Sequence, residues 1–233
     1  MNKIAIMQPY FFPYIGYWQL INAADVFVIY DDVNYIKNGW INRNNILLSG
    51  SKHLITLPLD CASSFKLIKD TKITDNLRVK EKLLKTITAA YAKAPYYEKI
   101  FPIIKNTVLY EDNNICNAIF YSVNAIIGYL NIKTKIVLSS YLQKNNDLKA
   151  QDKVIHITKL LNGNDYINAI GGQDLYDKNE FRDNGIELYF LKTNPVNYRQ
   201  FGNDFIPNLS IIDVLMFNPP EKIKEMLGRF ELI

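Results

Sequence analysis

Short apolar runs that end abruptly in polar residues or glycine are the feature that most constrains the fold of this chain. Lys3–Met7 stops at Gln8-Pro9, and the run from Val26 to Tyr30 stops at Asp31-Asp32, with a helical stretch from about Tyr14 to Ala24 between them. Strand, loop, helix and strand in this order indicate a right-handed βαβ unit. The same pattern predicts further strands at 135–138, 166–170 and 186–191.

The segments between these strands add a hairpin and several helices. Residues 45–48 and 53–58 flank a predicted four-residue turn, 49–52, and apolar residues recur at helical spacing over 77–92, 96–109 and 115–130. Helices are also predicted at 152–161, 210–217 and 220–227. The expected fold class is therefore α/β, with a mostly parallel, Rossmann-like three-layer sheet, a β-hairpin and a helical insertion at about 77–130. We expect a single domain over 1–233, because the sequence has no clear linker.

The scarcity of histidine and cysteine excludes several classes of protein. The 233 residues include two of each, His53, His156, Cys61 and Cys116. A disulfide scaffold, a Cys/His zinc cluster or an iron–sulfur centre needs more of these ligands, so no metal site is expected. The net charge of +4 is spread along the chain, which tolerates a phosphate-bearing or acidic partner without requiring one. No apolar stretch reaches the length of a membrane span, so we expect a cytoplasmic protein without membrane insertion.

Polar residues or glycines follow four of the predicted strands, and ligands in open parallel sheets bind beyond the carboxyl ends of strands. The four strand ends carry Gln8-Pro9-Tyr10, Asp31-Asp32, Ser139-Ser140 and Gly171-Gly172. Each has a structural interpretation, because aspartate and serine cap helices and turns, and glycine supplies positive φ or allows close backbone approach to a phosphate. Their expected convergence at one sheet edge predicts a binding site there.

A more specific signal lies between Ile6 and Ile46. This stretch contains Gln8-Pro9-Tyr10-Phe11-Phe12-Pro13-Tyr14-Ile15-Gly16-Tyr17-Trp18, then Tyr30-Asp31-Asp32, then Lys37-Asn38-Gly39-Trp40-Ile41-Asn42-Arg43-Asn44. It resembles the WbqC-like protein family of bacterial O-antigen gene clusters, and the likeness continues through Ser139-Ser140, 166–172, Tyr198-x-Gln200 and 209–213. The chain departs from the family pattern at Met7, where many members carry histidine, and at Ala169, where glycine or serine is common.

The resemblance implies a role in O-antigen or lipopolysaccharide synthesis as a glycine transferase. Such an enzyme forms an amide between an aminoacyl group and the amine of an aminodeoxy sugar carried on a nucleotide diphosphate. No cofactor is firmly implied. The activated acyl donor is expected to be a carrier thioester, on an acyl carrier protein, or an aminoacyl-tRNA, and an ATP-dependent route through an acyl-adenylate is the alternative. The histidine–x–glycine–histidine signature of nucleotidylyltransferases is absent from Phe12–Tyr17, which favours transfer.

Amide formation needs a base for the sugar amine and donors for a tetrahedral oxyanion. With histidine nearly absent, we expect Asp31 or Asp32 to be the base, because a pair of like charges raises one pKa. The catalytic candidates are therefore Asp31, Asp32 and Gln8, with Asn42, Ser139 and the amides near Gly171 and Gly172 as further oxyanion donors. Lys37 and Arg43 are expected to hold a diphosphate, and the alternative for Arg43 is a salt bridge to Asp31 or Asp32. The remaining expected substrate contacts are Tyr10, Tyr17, Trp40, Ser140, Tyr198, Gln200 and Asp213.

Two other classes of function stay open at this stage. A non-catalytic protein that binds a nucleotide sugar or glycan and scaffolds other enzymes would need the same contacts but no base. Nucleic-acid binding draws on the tyrosine, arginine and lysine residues of 30–45, but the basic residues do not cluster, and no DNA partner is expected.

Overall fold

A computed structural model of the chain describes residues 2–202 and 204–233. Its strands are β1 Lys3–Met7, β2 Val26–Ile29, β3 Arg43–Leu48, β4 Ser51–Thr56, β5 Leu59–Asp60, β6 Lys72–Ile73, β7 Lys135–Leu138, β8 Asp165–Ala169, β9 Glu187–Thr193 and β10 Phe230–Leu232. Its α-helices are α1 Ile15–Ala23, α2 Leu77–Tyr91, α3 Tyr97–Val108, α4 Ile115–Leu130, α5 Ala150–Leu160, α6 Lys178–Asp183, α7 Ile211–Phe217 and α8 Pro220–Leu227. The predicted α/β class is confirmed.

The central sheet has the strand order β10-β9-β8-β1-β2-β7. All neighbours are parallel except β10, which pairs antiparallel with β9 and closes that edge. From β1 the chain moves through β2 to β7, then returns to the other side of β1 with β8 and β9. This is the Rossmann-like order, in which the direction of winding changes between the first and fourth strands, here β1 and β8.

Alternate residues of the central strands face two separate cores, which is the signature of a sheet covered on both faces. Ala5, Phe27 and Ile29 belong to the larger core with α1 to α4, α7 and α8. Ile4, Ile6 and Val28 belong to the smaller core, where α5 supplies Val154, Ile155 and Ile157 and α6 supplies Phe181. The predicted three-layer arrangement is therefore correct.

The helical insertion lies where its spacing predicts it, since α2, α3 and α4 begin and end within one residue of the expected bounds. The hairpin differs from the prediction. The turn has two residues, Ser49 and Gly50, instead of four, because both have positive φ (51° and 75°) and Leu48 pairs directly with Ser51. Positive φ at both central positions matches the twist of the flanking strands, so the short turn is favoured.

Other boundaries shift by one or two residues, and several short elements were not expected at all. Four elements are too short to show a hydrophobic period in the sequence: the strands β5, β6 and β10 and the helix α6. The strand β10 also depends on pairing with β9, which is distant in sequence. None of the described helices has the length and hydrophobicity that crossing a membrane requires.

Candidate functional site

The four polar strand ends do lie side by side, as expected. Because β8, β1, β2 and β7 are parallel neighbours in that order, the residues that follow them share one edge of the sheet. Gln8 follows β1, Asp31 and Asp32 follow β2, and Ser139 begins a 3-10 turn directly after β7. The structure therefore confirms the convergence, while the environment of each side chain differs from the predicted one in several cases.

A cleft of about 670 Å³ opens at this edge, beside the point where the winding of the sheet changes direction. Its walls come from the β1–α1 loop, the loop after β2, the residue that follows β8, and the segment that leaves β9. Clefts outside this point of a doubly wound sheet are where ligands bind. The lining residues are Tyr10, Pro13, Tyr14, Ile15, Trp40, Asn44, Ile170, Lys192, Thr193, Asn194, Pro195, Val196, Asn197, Tyr198, Phe205, Pro207, Asn208, Leu209 and Val214.

Three of the expected substrate contacts meet in this cleft: Tyr10, Trp40 and Tyr198. Trp40 is 45% exposed, which leaves its ring available to a ligand. Tyr10 packs against Tyr17 with ring centroids 5.4 Å apart. Tyr17 itself is buried and donates its hydroxyl hydrogen bond to the carbonyl of Gln8 at 2.8 Å, so it supports the wall and is shielded from a ligand.

The cleft wall after β9 is held by a buried carboxylate on α7. Asp213 is fully buried and accepts hydrogen bonds from Tyr91 (2.8 Å), Tyr198 (2.6 Å) and Gln200 (2.7 Å). Gln200 also accepts from the amide of Ile206 at 2.8 Å and so closes the loop that carries Phe205. Gln200 and Asp213 are therefore positioned to orient Tyr198, and the structure does not place either of them on the cleft lining.

Burial of Asp213 raises its pKa, and the three hydroxyl and amide donors oppose this rise only in part. Burial, reinforced by the nearby carboxylate, raises the pKa of Tyr198 and of Tyr91. All three donors to the Asp213 carboxylate, two tyrosine hydroxyls and the amide of Gln200, are neutral, so the network holds this carboxylate without a positive charge.

The two aspartates after β2 do not act as a pair. Asp31 is buried and accepts hydrogen bonds from the amide (2.9 Å) and the hydroxyl (2.6 Å) of Ser140, which ties β2 to the turn after β7. Asp32 instead contacts Lys144 at 2.8 Å and Lys153 at 3.5 Å. Each carboxylate therefore has its own partners.

The expected rise in one aspartate pKa is wrong for Asp32. Burial would raise its pKa, but the hydrogen bond from Lys144, the nearby hydroxyl of Ser139 and the charges of Lys144 and Lys153 lower it overall. A carboxylate with a lowered pKa is a weak base, and neither aspartate lines the cleft. The assignment of Asp31 or Asp32 as base stays an untested prediction with a physical argument against it.

The basic loop after β2 also differs from expectation. Arg43 donates to the carbonyl of Gly39 at 3.0 Å and to Asn38, so its guanidinium closes its own loop. It forms no ion pair with Asp31 or Asp32 among the described residues, so that alternative is wrong. Asn42 accepts from Tyr35 and donates to the carbonyl of Leu57, which uses both ends of its amide. Lys37 is exposed.

Gly171 and Gly172 lie in a 3-10 turn after β8, and neither has positive φ. A Cβ on Gly172 would clash with the side-chain amide nitrogen of Asn168, so a larger residue at this position would displace that side chain. A Cβ on Gly171 would meet no atom of the described residues within 4 Å. A positive-φ role for this pair is therefore wrong, and close approach to a ligand remains open only at Gly171.

Sequence reasoning did not single out Lys144, Lys153, Asn44 or the segment 192–197. Lys153 lies on the face of α5 that packs against the sheet, and a lysine inside that otherwise apolar pattern was the available signal. Asn44 donates to the carbonyls of Phe11 and Phe12 at 3.2 and 2.9 Å and so links the hairpin to the first loop. No pattern marked the segment after β9, because its irregular backbone follows no periodicity.

Known proteins similar to this chain include one curated relative. The chain is 28% identical over 221 residues to the uncharacterized protein Rv1507c of Mycobacterium tuberculosis (strain ATCC 25618 / H37Rv), and the match covers 94% of each chain. No solved structure matches it significantly. The profile of the WbqC-like protein family matches residues 8–225, which include the β1–α1 loop, the loop after β2, the cleft and both buried aspartate networks. The chain therefore belongs to the WbqC-like protein family.

Proposed function

We propose that this protein binds a nucleotide-linked aminodeoxy sugar in the cleft and transfers an activated aminoacyl group to the sugar amine, as a step in surface-polysaccharide synthesis. The observation that carries the proposal is the cleft itself, whose lining combines accessible aromatic rings with asparagine amides and one lysine. The family resemblance supplies the reaction type, and the cleft supplies a place for the acceptor.

The lining suits each part of such an acceptor. Trp40 and Tyr10 offer ring faces for a nucleobase or for the apolar face of a sugar. Asn194, Asn197 and Asn208 offer amides for hydroxyl groups. Lys192 is the one cation among the lining residues that the structure describes, and it is available to a phosphate. The volume of about 670 Å³ lies in the range of small-molecule sites.

The reaction would need few groups from the protein if the acyl donor arrives already activated. The sugar nitrogen attacks the acyl carbon, a C–N bond forms, the C–S or C–O bond to the carrier breaks, and the released thiolate or alkoxide takes up the amine proton. Burial raises the pKa of Tyr10, so its hydroxyl keeps its proton and serves as a donor. Gln8 is half-buried directly after β1 and does not itself line the cleft, but it lies two residues before the cleft-lining Tyr10. Donation from its side-chain amide to the oxyanion is part of this proposal.

Turnover tests this proposal most directly. The purified protein is incubated with aminodeoxy sugars on thymidine or uridine diphosphate and with three donors in turn: a glycyl thioester, glycyl-tRNA, and glycine with ATP. Product is followed by mass spectrometry. We expect an amide product with a preactivated donor, and about a 100-fold lower rate in Gln8→Ala, as when one oxyanion donor is lost.

Two aromatic variants control for the position of the acceptor. Trp40→Ala should weaken acceptor binding about 10-fold or more, the usual effect of losing a stacked ring. Phe65→Ala removes an aromatic ring that is 95% exposed and does not line the cleft, so it should behave as the wild type. Absence of product with every donor would remove the transferase proposal.

One observation favours a second candidate function. Among the described lining residues there is no aspartate, glutamate or histidine, so the cleft contains no base that titrates near neutral pH. A protein that binds a nucleotide-linked sugar or glycan and presents it to another enzyme would need no base. Acceptor binding that depends on Trp40, without product from any donor, would support this second candidate.

A further inference from the structure

Two lysines and one aspartate form a buried cluster at the carboxyl ends of β2 and β7, outside the cleft lining. Lys144 and Lys153 approach the same oxygen of Asp32, at 2.8 and 3.5 Å. The three side chains are only 1%, 10% and 7% exposed, respectively for Lys144, Lys153 and Asp32. One carboxylate against two ammonium groups leaves the cluster with one excess positive charge.

A buried charge is costly unless a partner neutralises it. Lys144 is well paired, because its ammonium group also donates to the carbonyl of Ser139. Lys153 is paired less well: Asp32 lies at the longer distance, and the other contact is the ring of Tyr30, whose centroid is 5.6 Å away. No second carboxylate pairs with Lys153 in residues 2–202 and 204–233. The excess charge therefore resides on Lys153.

The same cluster contains two polar atoms that are shielded from solvent and form no hydrogen bond of normal geometry with any described residue. These are Oδ1 of Asp32 and the hydroxyl of Ser139. Buried polar atoms are usually paired, and an exception in a folded protein calls for an explanation. A hydroxyl can donate to an anion, and a carboxylate oxygen can accept from an O–H or N–H group next to that anion.

We propose that the Lys144–Asp32–Lys153 cluster is an anion subsite that takes a phosphate or carboxylate group, with Lys153 as its direct ligand and Ser139 as a supporting donor. Lys144 and Asp32 are positioning residues, since their contact fixes the carboxylate against which Lys153 is held. The subsite lies at the edge of the sheet where ligands of this architecture bind. This proposal is independent of the proposed transferase function, because binding of a simple anion tests it without the sugar or the acyl donor.

Binding of inorganic phosphate, pyrophosphate and acetate to the full chain tests the subsite by calorimetry, with thermal unfolding as a second readout. Phosphate should raise the melting temperature of the wild type through preferential binding to the folded state. Lys153→Met should bind the anion at least 10-fold more weakly, and Lys153→Arg should retain binding. Lys149→Met is the matched control, because it removes the same charge from an exposed position just before α5, and it should bind within twofold of the wild type.

The stability of Lys153→Met separates this role from a structural one. Without an anion the variant should melt at or above the wild-type temperature, because it removes an uncompensated buried charge. A preference for phosphate and pyrophosphate over acetate would identify a phosphate ligand, and equal binding of acetate would identify a carboxylate. The proposal is wrong if the wild type binds none of the three anions, or if Lys153→Met and Lys149→Met bind them equally.

Discussion

Two buried aspartates at the same end of the molecule are held in opposite ways. Asp213 accepts hydrogen bonds from two tyrosines and a glutamine, all neutral, and its pKa is raised mainly by burial. Asp32 faces two lysines. Burial alone would raise its pKa, but the contacts with the lysines lower it overall. A carboxylate that is fully satisfied by neutral donors is suited to fixing a wall. A carboxylate among excess cations, with one oxygen unpaired, is suited to a site that receives a further charge.

The comparison shows why residue type alone did not locate the chemistry. Asp31, Asp32 and Asp213 were all expected at the site, yet each serves a different contact. The aromatic cleft depends on Asp213 through Tyr198, while the cationic cluster depends on Asp32. The losses of stability caused by substituting Asp32 and Asp213 should therefore differ in size and in pH dependence.

The largest effect should follow Asp32→Ala. The change leaves Lys144 and Lys153 buried without their carboxylate, and breaking a buried ion pair from one side costs about 3–5 kcal/mol. Urea unfolding at neutral pH measures the loss. The double variant Asp32→Ala/Lys144→Met should recover part of it. A loss of unfolding free energy below about 1 kcal/mol would mean that water solvates the two lysines and that their excess charge does not destabilise the fold.

The next largest loss of unfolding free energy, about 2 kcal/mol, should follow Asp213→Asn. The amide keeps one acceptor oxygen and leaves at least one of the three buried donors unpaired. The variant should also weaken acceptor binding, since Tyr198 loses its anchor on the cleft wall. Urea unfolding and an acceptor titration measure the two effects. Full stability combined with unchanged acceptor binding would show that the network does not position the wall.

A smaller but more discriminating effect is the pH dependence of stability. The pKa of Asp213 is raised, so its contribution is present below the ordinary aspartate value of 3.8 and is lost as pH rises through the folded-state pKa. The pKa of Asp32 is lowered, so its contribution is present above 3.8 and is lost as pH falls through the folded-state pKa.

These signs predict opposite trends in the two Asn variants. On acidification above pH 3.8, the stability gap between the wild type and Asp213→Asn should widen. Below pH 3.8, the gap between the wild type and Asp32→Asn should narrow. Urea unfolding at several pH values measures both. Gaps that change in the same direction would contradict the comparison.

Much of the fold was predictable because periodicity is local. The strands β1, β2 and β7 and the helices α2 to α4 are long or cleanly bounded, and the ends of the parallel strands had to converge. The two-residue turn at Ser49-Gly50 was misread because serine seldom adopts positive φ and gave no signal for it. The antiparallel strand β10 was invisible because its partner lies about forty residues away in sequence.

The site was less predictable because side-chain partners depend on three-dimensional packing. The sequence placed Arg43 near two aspartates, but its guanidinium closes the loop at Asn38 and Gly39. It placed Asp31 and Asp32 together, although consecutive residues of an extended chain point in opposite directions. Lys153, which faces Asp32 from α5, is 121 residues away in sequence, and no local pattern joins them.

Tryptophan fluorescence offers the most direct test of the central claim that the cleft binds a nucleotide-linked sugar. The chain has two tryptophans: Trp40 lines the cleft, and Trp18 is fully buried, with its indole N–H donating to the carbonyl of Pro13. Titration with a nucleotide-linked aminodeoxy sugar should produce a saturable change in emission that disappears in Trp40→Phe, with Trp18 as an unresponsive reference. No change, or the same change in Trp40→Phe, would contradict the account.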